Sequence, residues 1–145
     1  MTPRRLDPAS VQAKLRSLDD LRSALDLVGE VDGARLGQDV LLRLAVERAL
    51  TQAVDLVVAV CGHVLAAQSA SVPTTYRDAV RGAAEHGLID AGLAQSLVAA
   101  VGLRNLLVHE YARADLAIVA AAVPVARRDL EEFVRQVATW LQRDR

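Results

Sequence analysis

Between Asp39 and Gln68 the chain runs without a proline and with a single glycine, Gly62. Apolar side chains at Leu41, Leu42, Leu44, Val46, Leu50, Val54, Val57, Val58, Val60 and Leu65 fall on nearly every face of a 3.6-residue period. A helix that is apolar all round cannot rest on a surface with one side in water, so this segment predicts a long central helix enclosed by others. Aromatic residues make up only 3% of the chain. The core must therefore be built from Ala, Val and Leu, residues suited to close helix packing, which favours an all-α fold.

The flanking sequence supplies the enclosing helices. Leu15, Leu18, Leu21, Leu25 and Val28 form a three- and four-residue stripe, predicting an amphipathic helix from Pro8 to about Glu30, with Asp7 as N-cap and proline at the first position. Gly33 to Gly37 reads as a loop, as does Ser69 to Thr75 with its Pro73. Thr75, with Asp78 three residues on, opens a short helix that Gly87 closes. Asp90 caps the next helix, which carries Leu93, Leu97, Val98, Val101 and Leu103. Asp115 caps a last helix with a stripe through Leu130, Phe133, Val134, Val137 and Leu141, in which Pro124 predicts a kink or a split. Four or five antiparallel helices in an up-and-down bundle result. The 145 residues suit one domain with one core, spanning residues 1–145.

Seventeen basic residues against eighteen acidic ones give a net charge of -1, so nucleic acid would have to be contacted locally and not through bulk charge. The start Met1-Thr2-Pro3-Arg4-Arg5 leads into charged, helix-like sequence, which predicts no signal peptide and a cytoplasmic protein. The aliphatic run from Val54 to Ala67 is interrupted by Asp55 and His63, and no membrane span is expected from it. Cys61, the only cysteine, sits among apolar neighbours and reads as a buried, unreactive thiol.

The chemistry-bearing residues are sparse. His63, His86 and His109 lie far apart, and none has close Cys, Asp or Glu neighbours at metal-ligand spacing, so no metal and no cofactor is expected. His63, among aliphatic residues, reads as a histidine satisfied by a carbonyl or carboxylate, and His86, before Gly87, as a solvated helix end. The segment Arg104-Asn105-Leu106-Leu107-Val108-His109-Glu110-Tyr111 is different. It gathers a cation, an amide, a titratable base, an acid and a phenol within eight residues.

At about 100° per residue, Arg104 and Tyr111 fall about 20° apart on a helix, whereas His109 lies about 140° from Arg104. Arginine and histidine therefore converge poorly within one ideal helix. Either the helix unwinds near Val108, or a second copy of the chain brings its own Arg104 and His109 across a two-fold axis, and the second arrangement is favoured.

The spacing from Arg104 to His109 and Tyr111 resembles the RX4HXY motif of HepT proteins in the HEPN superfamily. Leu44 to Leu50 resembles that family's central-helix segment, and Pro73-Thr74-Thr75-Tyr76-Arg77-Asp78 its P-x-S/T-Y-R loop. Glu85 to Ile89 and Asp129 to Phe133 extend the likeness over about residues 40 to 140. The resemblance implies a HEPN-like helical bundle acting as a metal-independent endoribonuclease toxin. It further implies a homodimer, silenced through AMP attachment by an MntA-type nucleotidyltransferase antitoxin. Arg104 and His109 would be the catalytic pair, Asn105 and Glu110 supporting residues, and Tyr111 the modified residue. Some relatives carry a tyrosine two positions after the arginine, where this chain has Leu106.

The implied chemistry is coherent without a metal. The RNA 2′-hydroxyl can attack its own phosphodiester when a base removes its proton, an acid protonates the leaving oxygen, and a cation meets the developing charge. Histidine can fill either proton role, and a guanidinium matches phosphate oxygens as a two-pronged fork. A non-catalytic helical module that partners a minimal nucleotidyltransferase is the other reading of the same segment.

Overall fold

The computed structural model of the chain describes residues 4–68, 71–109 and 114–144. Among the described residues six helices follow in order: α1 (Pro8–Val28), α2 (Gly33–Gln38), α3 (Val40–Ala67), α4 (Tyr76–Glu85), α5 (Ala91–His109) and α6 (Leu116–Arg143). Among the described residues no strand is present, as the all-α expectation requires.

The caps at Asp7, Thr75, Asp90 and Asp115 lie where the sequence places them, and Asp39 adds another. Asp7 accepts from the amides of Ala9 and Ser10, Asp39 from Leu42, Thr75 from Asp78, Asp90 from Leu93 and Asp115 from Ala117. Each satisfies a backbone donor that the first helical turn leaves free. At the far end of α4, Gly87 adopts φ 77°. Its amide donates to the Ala84 carbonyl and the Leu88 amide to that of Ala83, which folds the chain back toward α5.

Two expectations need correction. Gly33 to Gly37 is the short helix α2, capped by Asp32, and not a loop. Its first glycine serves packing: a Cβ at Gly33 would stand 3.0 Å from the Ala117 amide nitrogen, so glycine lets α2 approach the start of α6. Of the kink or split expected at Pro124, the split does not occur, since α6 runs unbroken across it. The missing amide donor carries a penalty of order 3 kcal/mol. Burial of Val119, Val123, Leu130, Phe133, Val137 and Leu141 along the same helix offsets it.

α3 is the central helix, packed by α1, α2, α4, α5 and α6. Its Val46, Val57, Val60, Cys61 and Val64 are fully buried with Leu18 and Leu25 of α1, Val80 of α4, Val101 of α5 and Phe133 of α6. Burial pushes the Cys61 thiol up to about 12, the unreactive state expected of it. His63 closes one end of the bundle: its Nε2 accepts from the Asp7 amide at 3.1 Å, a partner different from the carbonyl or carboxylate expected. His86 Nδ1 lies 3.0 Å from the Gly82 carbonyl at the end of α4, as a helix-end histidine should. At the other side Gln136 of α6 accepts from the Asp90 amide and donates to Asp90 Oδ2, both at 2.7 Å, pinning the start of α5.

α3 and α5 are each long and apolar enough to cross a membrane by length and composition, beyond what the Val54 to Ala67 stretch alone suggests. In α3, half of the most apolar stretch is buried against the other helices, the pattern of a core helix. In α5 only 22% is.

Candidate active site

Arg104 and His109 stand on the last two turns of α5, which remains helical through His109. The helix does not unwind near Val108, so the pair keeps the angular separation that the sequence implies. Arg104 turns inward toward α3, with 16% of its side chain exposed, while His109 is exposed to solvent. Asn105 is half-buried beside Arg104, its Oδ1 3.4 Å from Arg104 Nη1. Glu110 and Tyr111 lie outside the described residues.

Two neighbouring helices hold the arginine. Arg104 Nε donates to Asp55 Oδ1 of α3 at 3.0 Å. The Tyr76 hydroxyl, from the first residue of α4, donates to the same oxygen at 3.1 Å. The Arg104 Cζ lies over the Tyr76 ring, 4.8 Å from its centroid, in cation-π range. Burial, then the hydrogen bond and the charge of Asp55, raise the Tyr76 phenol above its ordinary value, with Arg104 opposing them, so Tyr76 stays a donor. Arg77, its neighbour, lies over Gly102 of α5, where its Nη2 would be 3.4 Å from any Cβ.

Neither Asp55 nor Tyr76 emerges from the motif alone. Asp55 carries a signal in hindsight: it is the one carboxylate in the aliphatic stretch from Ala53 to Ala67, where a partly buried charge calls for a cation or donors. Tyr76 lies in the Pro73 to Asp78 segment, whose likeness to a family loop gave no role to its hydroxyl.

Beside Arg104 a cavity of about 320 Å³ opens between α5 and α6 over α3. Ala99, Ala100 and Leu103 form one wall, Ile118, Ala121 and Val125 the other. Ile118 and Val125 are exposed apolar residues at 55% and 39%. The polar exceptions besides Arg104 are Ser96 and Asp129, whose side chains hydrogen-bond to each other, Asp129 being buried. Among the described residues no group of three His, Cys, Asp or Glu side chains is placed to hold a metal ion.

The comparisons with known proteins agree with this architecture. The sequence profile of the family described as Ribonuclease HepT-like matches residues 15–137. An mRNA nuclease HepT from Shewanella oneidensis is 31% identical over 103 residues, covering 71% of this chain and 77% of that protein. A solved structure of a tri-AMPylated HEPN toxin from the same organism, in complex with its MNT antitoxin, superposes with a TM-score of 0.80. It is 26% identical, covering 89% of this chain and 96% of that one. The cytosolic protein YutE from Bacillus subtilis, of unknown function, shares the fold at a TM-score of 0.83 and 15% identity, over 96% and 93% of the two chains. With the helical bundle and a profile match over most of its length, the chain belongs to the Ribonuclease HepT-like family.

Proposed function

We propose that this chain is a metal-independent endoribonuclease toxin whose cleft is completed by a second copy of itself, with Arg104 and His109 as its catalytic pair. The observation that carries the reading is the pairing on α5 of a half-buried, aimed guanidinium with an exposed imidazole in a chain of this family. Arg104 meets the scissile phosphate, and His109 moves the proton of the attacking 2′-hydroxyl or of the leaving oxygen. Asn105 supports Arg104 from the adjacent position. Glu110 supports the imidazole.

Two features favour the second copy. Arg104 and His109 diverge on one continuous helix, so two chains related by a two-fold axis supply the convergence that one lacks. α5 is also apolar on most faces yet poorly covered, and the α5–α6 groove next to Arg104 is rimmed by exposed Ile118 and Val125. A helix of that composition is ordinarily enclosed. A second α5–α6 face encloses it and carries the partner's His109 toward Arg104.

The silencing partner is a nucleotidyltransferase antitoxin of the MntA type that attaches AMP to Tyr111. The Shewanella oneidensis toxin, similar along most of this chain, is AMPylated and bound to its MNT antitoxin in its solved structure, which supports carrying the arrangement over. A bulky anion seven residues along the chain from Arg104 competes with RNA phosphate.

The test is direct. The purified chain cleaves a mixed RNA pool in the presence of a chelator and leaves 2′,3′-cyclic phosphate ends. Cleavage that persists unchanged in His109→Ala overturns the mechanism, and absence of cleavage by the native chain leaves the non-catalytic partner of a nucleotidyltransferase as the reading. Incubation with the neighbouring nucleotidyltransferase and ATP raises the intact mass by whole AMP units. An increase retained in Tyr111→Phe overturns the acceptor assignment.

A further inference from the structure

We infer that Asp55 and Tyr76 are positioning residues that decide which edge of the Arg104 guanidinium meets the RNA phosphate. The inference rests on the reading of Arg104 as the phosphate-binding group and adds how that group is aimed. A guanidinium offers two donor edges, one containing Nε and one formed by the two terminal nitrogens, and two flat faces. In this chain Asp55 Oδ1 takes the Nε hydrogen at 3.0 Å and the Tyr76 ring lies against one face. The terminal edge is left, and among the described residues only the Asn105 side chain is hydrogen-bonded to it, at 3.4 Å from Nη1. That edge is a fork able to grip two phosphate oxygens at once.

The two partners also hold each other. The Tyr76 hydroxyl donates to the Asp55 oxygen that receives Arg104, at 3.1 Å, so α3, α4 and α5 converge on one atom. Rotation of Arg104 about its long side chain would break the Nε bond and the ring contact together. The guanidinium is thus fixed before RNA arrives, which is how a catalytic group avoids being ordered at the moment of reaction.

The charge of Asp55 makes this separable from simple attraction. A carboxylate beside the arginine partly cancels the field that would draw in RNA, so if affinity alone mattered Asp55 would be unfavourable. Removing its charge should strengthen or preserve RNA binding while the chemical step slows. A group that merely held the fold together would lower binding, turnover and thermal stability in common.

The experiment is steady-state cleavage of a short RNA by full-length Asp55→Asn, Tyr76→Phe and Tyr76→Leu, alongside NMR of the Arg104 Nε–H, assigned by its absence in Arg104→Lys. For Asp55→Asn we expect kcat to fall by about 10- to 100-fold with KM unchanged or lower, and Tyr76→Leu to lose more than Tyr76→Phe. The Nε–H should exchange slowly with solvent in the native chain and faster in Asp55→Asn. An unchanged kcat, or a rise in KM that accounts for the whole loss, overturns the inference. Exchange that is equally fast in the native chain overturns it regardless of activity. If the native chain cleaves no RNA, the proposed function falls, and the exchange comparison alone decides whether Asp55 fixes Arg104.

Discussion

Arg104 and His109 share an unbroken helix and face apart: the guanidinium lies against Asp55 of α3, and the imidazole stands in solvent on the last turn. The two residues consequently differ in what their loss does to the fold. His109→Ala should reduce RNA cleavage by about 10²- to 10⁴-fold, the span of a lost general acid or base, with no change in melting temperature. Arg104→Ala should lose cleavage and also some stability, because it strips Asp55 of its cation. Parallel rate and thermal-melt measurements check both.

The groove between α5 and α6 makes a second prediction. Ile118 and Val125 are exposed in the single chain, so charge at either site should not disturb its core. Ile118→Glu and Val125→Glu should leave helicity and melting of the single chain intact, reduce the mass in light scattering from two copies to one, and abolish cleavage. Full activity in a monomeric variant would refute the two-chain site.

Asp129 is buried at the edge of the same groove and takes its hydrogen bond from Ser96. Ser96→Ala leaves the carboxylate without that donor and should cost about 1–3 kcal/mol in urea unfolding. The double change Ser96→Ala with Asp129→Leu should recover part of the loss, since it removes the buried polar group as well as its partner. A double variant less stable than Ser96→Ala alone would contradict the account.

Stability should fall on the alkaline side. The Cys61 thiol moves from its ordinary 9.0 up to about 12 on folding, and the Tyr76 phenol is also raised. Above the ordinary values the unfolded chain loses these protons while the folded chain keeps them, so the unfolded state gains and unfolding becomes easier with rising pH. Chemical unfolding followed from neutral pH upward should show a declining free energy from about pH 9, with a shallower decline in Cys61→Ala. A flat profile would overturn this.

Helix positions and caps were legible because they depend on local signals. Asp7, Thr75, Asp90 and Asp115 each satisfy the amides that their place before an apolar stripe assigns to them. α2 was hidden because Gly33 has the same letter whether it frees a loop or makes room for a backbone, and the neighbour that explains it, Ala117, is far along the chain. The site divides in the same way. Arg104, Asn105 and His109 lie within six residues of one another in sequence, whereas Asp55 and Tyr76 join Arg104 only through the packing of α3 and α4 on α5. Pro124 fails to split α6 for a related reason, since a local rule about one amide is outweighed by the burial of a whole helix face.

The thin cover over α5 bears on dosage. Apolar surface left open on a lone chain attracts other chains as readily as its own twin, so the newly made single copy is the form most prone to clump. If two copies share one cleft, the active species grows as the square of concentration while the chain is scarce. A cell holding few copies would then carry an inert protein, and a modest rise in synthesis would produce a disproportionate rise in RNA damage.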